Sequence, residues 1–170
     1  GVLSNVALLL ADKSPVNLNF TFGPTNLRYA MDKAGVKEVL SASLMKEKFP
    51  QFPWPADFFD MGAWLRTISS KKIYLFWKAL LLLVLPMRWN FKPLENLKGK
   101  DSEGALLFTS GSSGNPKGVV LSHRNLLVNC EQIASLNIFS TQDKILANLP
   151  LFHSFGFTVA MILPLIHRLT

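Results

Sequence analysis

The sequence predicts an α/β fold with a mainly parallel sheet, on three observations. Residues 15–40 read strand, helix, strand within ~25 residues, the rhythm of a parallel crossover unit. Residues 105–139 read strand, Gly/Ser loop, short strand and helix. The composition, 49% hydrophobic and 17% charged over 170 residues, excludes a disordered chain and supplies a sizeable core.

Taken in order, Val2, Val6, Ala7, Leu9 and Leu10 place a buried helix over 2–12, and 15–20 reads as a strand. Thr21-Phe22-Gly23-Pro24 is a turn. The helix expected at 25–34 sets Leu27, Ala30, Met31 and Ala34 on one face, with Gly35 as its stop, and 36–40 is a short strand. Pro50, Pro53 and Pro55 among aromatic residues make 50–64 irregular and linker-like. After Gly99 the pattern resumes with strands at 105–109 and 119–121. Ser122 caps a helix through about residue 139, whose apolar face is Leu126, Leu127, Cys130, Ile133 and Ala134. A strand at 145–149, a loop at 150–155 and a last apolar helix complete the series. The chain opens at Gly1 in a helical pattern and stops at Thr170 without a polar tail, so it reads as an excerpt of a larger protein with no secretory leader.

Eighteen basic residues against eleven acidic ones give a net charge of +7. Residues 1–60 hold six of each sign and 101–170 four of each, so the surplus lies in 61–100, eight basic residues against Glu95. That segment is also the most apolar. Its bases flank a greasy block rather than alternating with base-reading polar side chains, which argues against nucleic acid. The single Cys130 excludes an internal disulfide and any multi-cysteine metal site, and fits a reducing compartment.

Thr109-Ser110-Gly111-Ser112-Ser113-Gly114-Asn115-Pro116-Lys117-Gly118 combines hydroxyls, three glycines and one lysine after a strand. Glycine lets backbone N–H groups approach a ligand closely, hydroxyls add donors, and one lysine supplies a point charge, which together describe a phosphate cradle. The spacing is not that of the common P-loop, because Lys117 is followed by Gly118 and not by Ser or Thr. A strand follows the loop, so the phosphate is not expected at a helix N-terminus. On spacing alone, a Gly/Ser turn with a solvated lysine is the competing reading.

The run 109–119 resembles the phosphate-binding motif of the adenylate-forming enzymes, which include acyl-CoA synthetases and luciferases. Ser122-His123-Arg124-Asn125-Leu126 continues the likeness, and Ser113 stands where Thr is usual in that family. Leu149-Pro150-Leu151-Phe152-His153-Ser154-Phe155-Gly156-Phe157 resembles the motif that closes the acyl side of the family's pocket, and 7–20 its helix-to-strand passage. The resemblance implies that 1–170 is part of the large N-terminal AMP-binding domain, with 50–100 a linker-like, basic and apolar insertion. It implies ATP with Mg²⁺ as cofactors. Thr109, Ser110, Ser112 and Ser113 would donate to phosphate oxygens, Gly111 and Gly114 would permit close approach, and Lys117 would neutralise the departing pyrophosphate. His153 is the catalytic candidate near the substrate carboxylate, with a buried, satisfied histidine as the alternative. No metal ligand is assigned.

From Lys71 to Arg88 the chain is apolar with Lys or Arg at both ends. At ~1.5 Å per residue, 73–87 makes ~22 Å of helix, short of the ~30 Å hydrocarbon core. A membrane surface contacted through 71–88 is one expectation, a buried helix the other. Within the family, the sequence looks most like the bacterial acyl–acyl-carrier-protein synthetases joined to a 2-acylglycerophosphoethanolamine acyltransferase. That likeness implies fatty-acid activation, transfer to an acyl-carrier-protein or CoA thiol, and delivery to a lysophospholipid at the cytoplasmic face of the bacterial inner membrane. A long-chain fatty acid–CoA ligase and a non-catalytic membrane-docking module are the alternatives.

Overall fold

A computed structural model describes residues 1–56, 58–71, 73–74, 76–77, 99–111 and 114–169. The chain divides into two compact units, Gly1–Val36 with Lys98–Thr170, and Lys37–Leu97.

The first unit is built on β3 (Glu103–Thr109) and β4 (Lys117–Ser122), an antiparallel pair where the sequence predicts a mainly parallel sheet, because a short loop joins the two strands as a hairpin. The run Ala105-Leu106-Leu107-Phe108 is apolar on both faces, and Ala105, Leu107 and Phe108 are buried. Such a run suits a strand covered on both sides. The sequence expectation of 105–109 and 119–121 thus falls short by two residues at the start of each strand, and at the end of β4 by one. Helix α5 (His123–Ala134) follows β4 directly. Ser122 Oγ accepts the Asn125 N–H at 3.1 Å, and Asn125 Oδ1 accepts the Ser122 N–H at 3.0 Å, a reciprocal capping box. Leu126 and Cys130, one turn apart, enter the core with Ala105, Leu107, Phe157, Met161, Ile162 and Leu163. Replacing Ser122 by Ala removes the cap and should lower stability by ~1 kcal/mol in urea denaturation.

The helix ends at Ala134, not near 139, because the chain turns there. The N–H groups of Leu136 and Asn137 bond to Ile133 O and Ala134 O, and Asn137 takes φ 52°. The strand expected at 145–149 is absent among the described residues. Leu146 is 85% exposed, and the Asn148 N–H folds back onto Leu146 O at 3.0 Å, a tight turn that a strand would not permit. The last helical stretch is α6 (Ser154–Phe157), a wide π-helical turn (Thr158–Ile162) and α7 (Leu163–His167). Pro164 has no N–H to give to the preceding turn, a reason for the ladder to widen just before it.

Upstream, α1 (Val2–Leu10) forms as expected but buries only Asn5; Val2, Leu3 and Leu10 are exposed. Asn5 Nδ2 donates to Asn17 Oδ1 at 3.1 Å and Asn17 Nδ2 to Asn5 Oδ1 at 2.8 Å. This amide pair ties α1 to the segment beside β3, where Val16 makes a parallel bridge to Leu106 and Leu106 N–H bonds to Pro15 O. The strand expected over 15–20 shrinks to that bridge. Asn19 Oδ1 takes the Thr21 N–H at 2.9 Å, an Asx turn that bends the backbone away. Asn5→Ala would leave the Asn17 amide unpaired at a buried contact and should cost ~1–3 kcal/mol, measured by thermal or urea unfolding. Helix α2 (Pro24–Ala34) has Leu27 and Ala30 inside and ends on Gly35 at φ 61°, as the sequence predicts.

The second unit holds β1 (Leu40–Ser41), α3 (Ser43–Lys48), β2 (Phe59–Asp60) and α4 (Met61–Ser69). β1 pairs with β2 in parallel, so the strand expected over 36–40 is reduced to residues 40–41. Residues 59–64, expected to be irregular, belong to β2 and α4. Asp60 is the reason: its Oδ1 accepts the Gly62 and Ala63 N–H groups and starts α4, while Ser43 Oγ donates to its other oxygen. The Ser43 hydroxyl, then the helix N–H groups, hold the Asp60 carboxyl below its ordinary value.

Candidate functional site

The glycine loop sits between the facing ends of β3 and β4. Their register pairs Thr109 with Lys117 and Phe108 with Gly118, so the loop neck brings Thr109 and Lys117 together. Thr109 Oγ1 reaches Lys117 O at a long 3.5 Å. Both residues are exposed, as is Ser110. The Lys117 ammonium has no hydrogen bond or ion pair among the described residues, so its charge is available to a ligand.

Two glycines are required by shape. A Cβ on Gly111 would lie 2.1 Å from Asn115 O, closer than any carbon can come to a backbone oxygen. Gly111 O also accepts the Gly114 N–H at 3.1 Å, and Gly114 takes φ 92°. The loop is therefore a tight backbone turn anchored by buried Pro116. Ser112 and Ser113, also expected to bind phosphate, lie outside the described residues.

His153 begins a second loop feature. Its side chain is exposed in this part of the protein. It caps α6: the Phe155 N–H reaches His153 Nδ1 at 3.3 Å. With Nδ1 accepting, the hydrogen-bond pattern assigns the ring proton to Nε2, which leaves that N–H as a donor. The loop before it is shaped by Gly156. A Cβ there would stand 2.3 Å from Pro150 O and 2.9 Å from Leu149 O. Phe152 packs edge-on against Phe20, with ring centroids 5.2 Å apart.

These two loops rise from one scaffold, since Leu107 of β3 and Phe157 of α6 share the core cluster. Sequence reasoning identified the residue types at both loops but missed the obligatory role of Gly156 and the Phe20–Phe152 contact. The signal for the first was a glycine three residues after a histidine cap. Nothing local marks the second, which joins residues 132 positions apart.

The remaining histidines and the cysteine are structural. His123 is the first residue of α5. His167 lies against the Phe139 ring, its Nε2 3.8 Å from Glu131 Oε1. Burial, then the neighbouring Glu131 charge, push the Cys130 thiol up to about 11. A thiol whose pKa is raised by folding stabilises the native state at pH below the ordinary thiol value. That contribution is lost as pH rises from 9.0 towards about 11. Iodoacetamide at pH 8 should therefore label native Cys130 far more slowly than the urea-unfolded chain. Among the described residues no group of three or more His, Cys, Asp or Glu side chains could hold a metal ion.

An α/β unit whose strand hairpin closes on a glycine loop is the class that this geometry defines. Within it, the AMP-binding enzyme family matches residues 2–170, and the chain belongs to that family. It is 42% identical over 67 residues to a sulfoacetate–CoA ligase of Cupriavidus necator, a match covering 39% of this chain and 13% of that protein. It is 42% identical over 55 residues to a chloroplastic long-chain-fatty-acid–[acyl-carrier-protein] ligase of Arabidopsis thaliana, covering 32% and 8%. A long-chain-fatty-acid–CoA ligase of Bacillus subtilis is 40% identical over 58 residues, covering 33% and 10%. The match thus spans roughly a tenth of each curated relative. Among solved structures, O-succinylbenzoate coenzyme A synthetase of Bacillus subtilis, in complex with ATP and magnesium, superposes with a TM-score of 0.65 at 19% identity. That fit covers 99% of this chain and 39% of that one, and it shows a shared fold.

Proposed function

We propose that the protein to which this chain belongs activates a fatty acid with ATP and passes the acyl group to an acyl-carrier-protein thiol. The observation that carries this is the hairpin loop, in which an obligatory Gly111 turn stands beside an exposed, unpaired Lys117. The fatty-acid ligases among the relatives support the substrate class. A carboxylate oxygen attacks the α-phosphorus of ATP, the bond to the bridging oxygen breaks, and pyrophosphate leaves. The thiolate sulfur then attacks the acyl carbonyl carbon and AMP leaves.

Thr109 and Ser110, with Ser112 and Ser113, donate to the phosphate oxygens. Lys117 offsets the charge that gathers on pyrophosphate, and this is electrostatic stabilisation without proton transfer. The His153 Nε2–H donates to the substrate carboxylate and fixes its approach. The chemistry that Mg²⁺ supplies when bound with ATP is further charge neutralisation on those phosphate oxygens. Delivery of the acyl group to 2-acylglycerophosphoethanolamine, at the cytoplasmic face of the bacterial inner membrane, completes the reading.

The test is a competition for the acyl group. Full-length protein receives ATP, Mg²⁺ and palmitate together with acyl-carrier protein and CoA. Acyl-carrier protein should be the acylated thiol. Acyl-CoA as the main product would replace this reading with a fatty acid–CoA ligase, which the Bacillus subtilis relative favours.

A further inference from the structure

We propose that α4 and the helical residues just after it form a docking surface for an anionic lipid bilayer. Helix α4 carries Met61, Trp64, Leu65 and Ile68 at helical spacing on a single stripe. Such a stripe ordinarily faces a core. Here no residue of α4 is buried, and Trp64 and Leu65 are 43% and 48% exposed. The other flank of the helix presents Arg66, Thr67 and Ser69.

The series continues along the chain. Residues 73–74 and 76–77 are helical, and Ile73, Phe76 and Trp77 are 77%, 64% and 62% exposed. Scattered exposed apolar residues need no explanation, but this many within seventeen positions is a surface that wants a partner. The partner's chemistry follows from charge. Arg66 and Lys71 are exposed, and no acidic residue stands among the described residues from 61 to 77. The nearest described acid, Asp60, is already engaged by Ser43 and the start of α4.

A second copy of the chain would bring like charges together. A polyanion without an apolar phase would leave the tryptophans in water. An anionic bilayer satisfies both features, with indole rings at headgroup level and Arg/Lys against the phosphates. Helix α4 lies on the bilayer, since its nine residues make ~14 Å against a ~30 Å core. Among the described residues no helix is long and apolar enough to cross a membrane. This surface stands on exposure and charge whichever acid the loop activates.

The experiment is vesicle sedimentation of the full-length protein. Phosphatidylcholine vesicles are compared with vesicles of phosphatidylcholine and phosphatidylglycerol at equal amounts. Wild type should bind the anionic vesicles and lose binding at high salt. The double variants W64S/W77S and R66E/K71E should each weaken that binding by about tenfold or more, with unchanged circular dichroism. Lys117→Ala should bind as wild type does, which separates docking from catalysis. No binding to anionic vesicles, equal binding to neutral ones, or retention by both double variants would overturn the proposal. So would self-association abolished by W64S/W77S without vesicle binding, because the surface would then belong to a second copy.

Discussion

Lys117→Ala in the full-length protein should lower fatty-acid-dependent ATP–pyrophosphate exchange by about 10²–10³-fold, the usual loss when one preorganised electrostatic group is removed from a developing charge. The geometry makes this a clean experiment. Lys117 is exposed at the first position of β4, and its ammonium has no partner among the described residues, so its removal breaks no hydrogen bond or ion pair there. The hairpin should survive, because the Thr109–Lys117 pairing is made by the backbone. Thermal unfolding should therefore move little while exchange collapses. Lys117→Arg keeps the charge but changes a compact ammonium into a planar fork, and should restore part of the exchange. Wild-type exchange in the alanine variant would remove the phosphate role from this lysine.

Gly156→Ala should have the largest structural effect of any single methyl addition at the second loop. The new carbon would meet Pro150 O and Leu149 O, both backbone atoms that cannot rotate aside. Either α6 moves off the loop or the loop yields, and the core residue Phe157 is adjacent. Overpacking of this kind costs ~1–3 kcal/mol, which urea denaturation would register. The same shift would displace His153 and lengthen its contact with the Phe155 N–H. Activity should then fall chiefly through a raised KM for the fatty acid, since the carboxylate loses its donor before the phosphate loop is touched. A variant with normal stability and normal KM would mean that the glycine is not the wedge between loop and helix.

How much of this was legible without coordinates differs from element to element. The α/β class, α2 with its Gly35 stop, β3 and the Ser122 cap are local matters of periodicity, capping and backbone conformation, and each formed as expected. The loop was legible for the same reason: hydroxyls, glycines and a lysine adjacent in sequence stay adjacent in a hairpin. The misses occurred where a side chain competed with the backbone. Asn17 and Asn19 spend their amides on Asn5 and Thr21, and a six-residue strand becomes one bridge. Asp60 turns an apparently irregular stretch into a helix start. Residues 145–149 have strand composition, but their backbone bonds within a turn. His153 could be placed on a loop from its prolines, whereas its Nδ1 acceptor role follows only from the start of α6.

The apolar stripe of α4 teaches a related lesson. Helical periodicity locates an apolar face but does not say what covers it, and the exposure of that face in α4 is what the docking proposal rests on. The proposal of an anionic partner rests on the exposed Arg66 and Lys71 beside that face, with no acid among the described residues from 61 to 77.

The central claim is that the glycine loop serves adenylate formation on a fatty acid. The most direct measurement is exchange of radiolabelled pyrophosphate into ATP by the full-length protein, with and without palmitate and in the absence of any thiol. Exchange that depends on palmitate, requires Mg²⁺ and is lost in Lys117→Ala is the expected result. Exchange that ignores palmitate, or none at all from folded protein that still binds ATP, would contradict it.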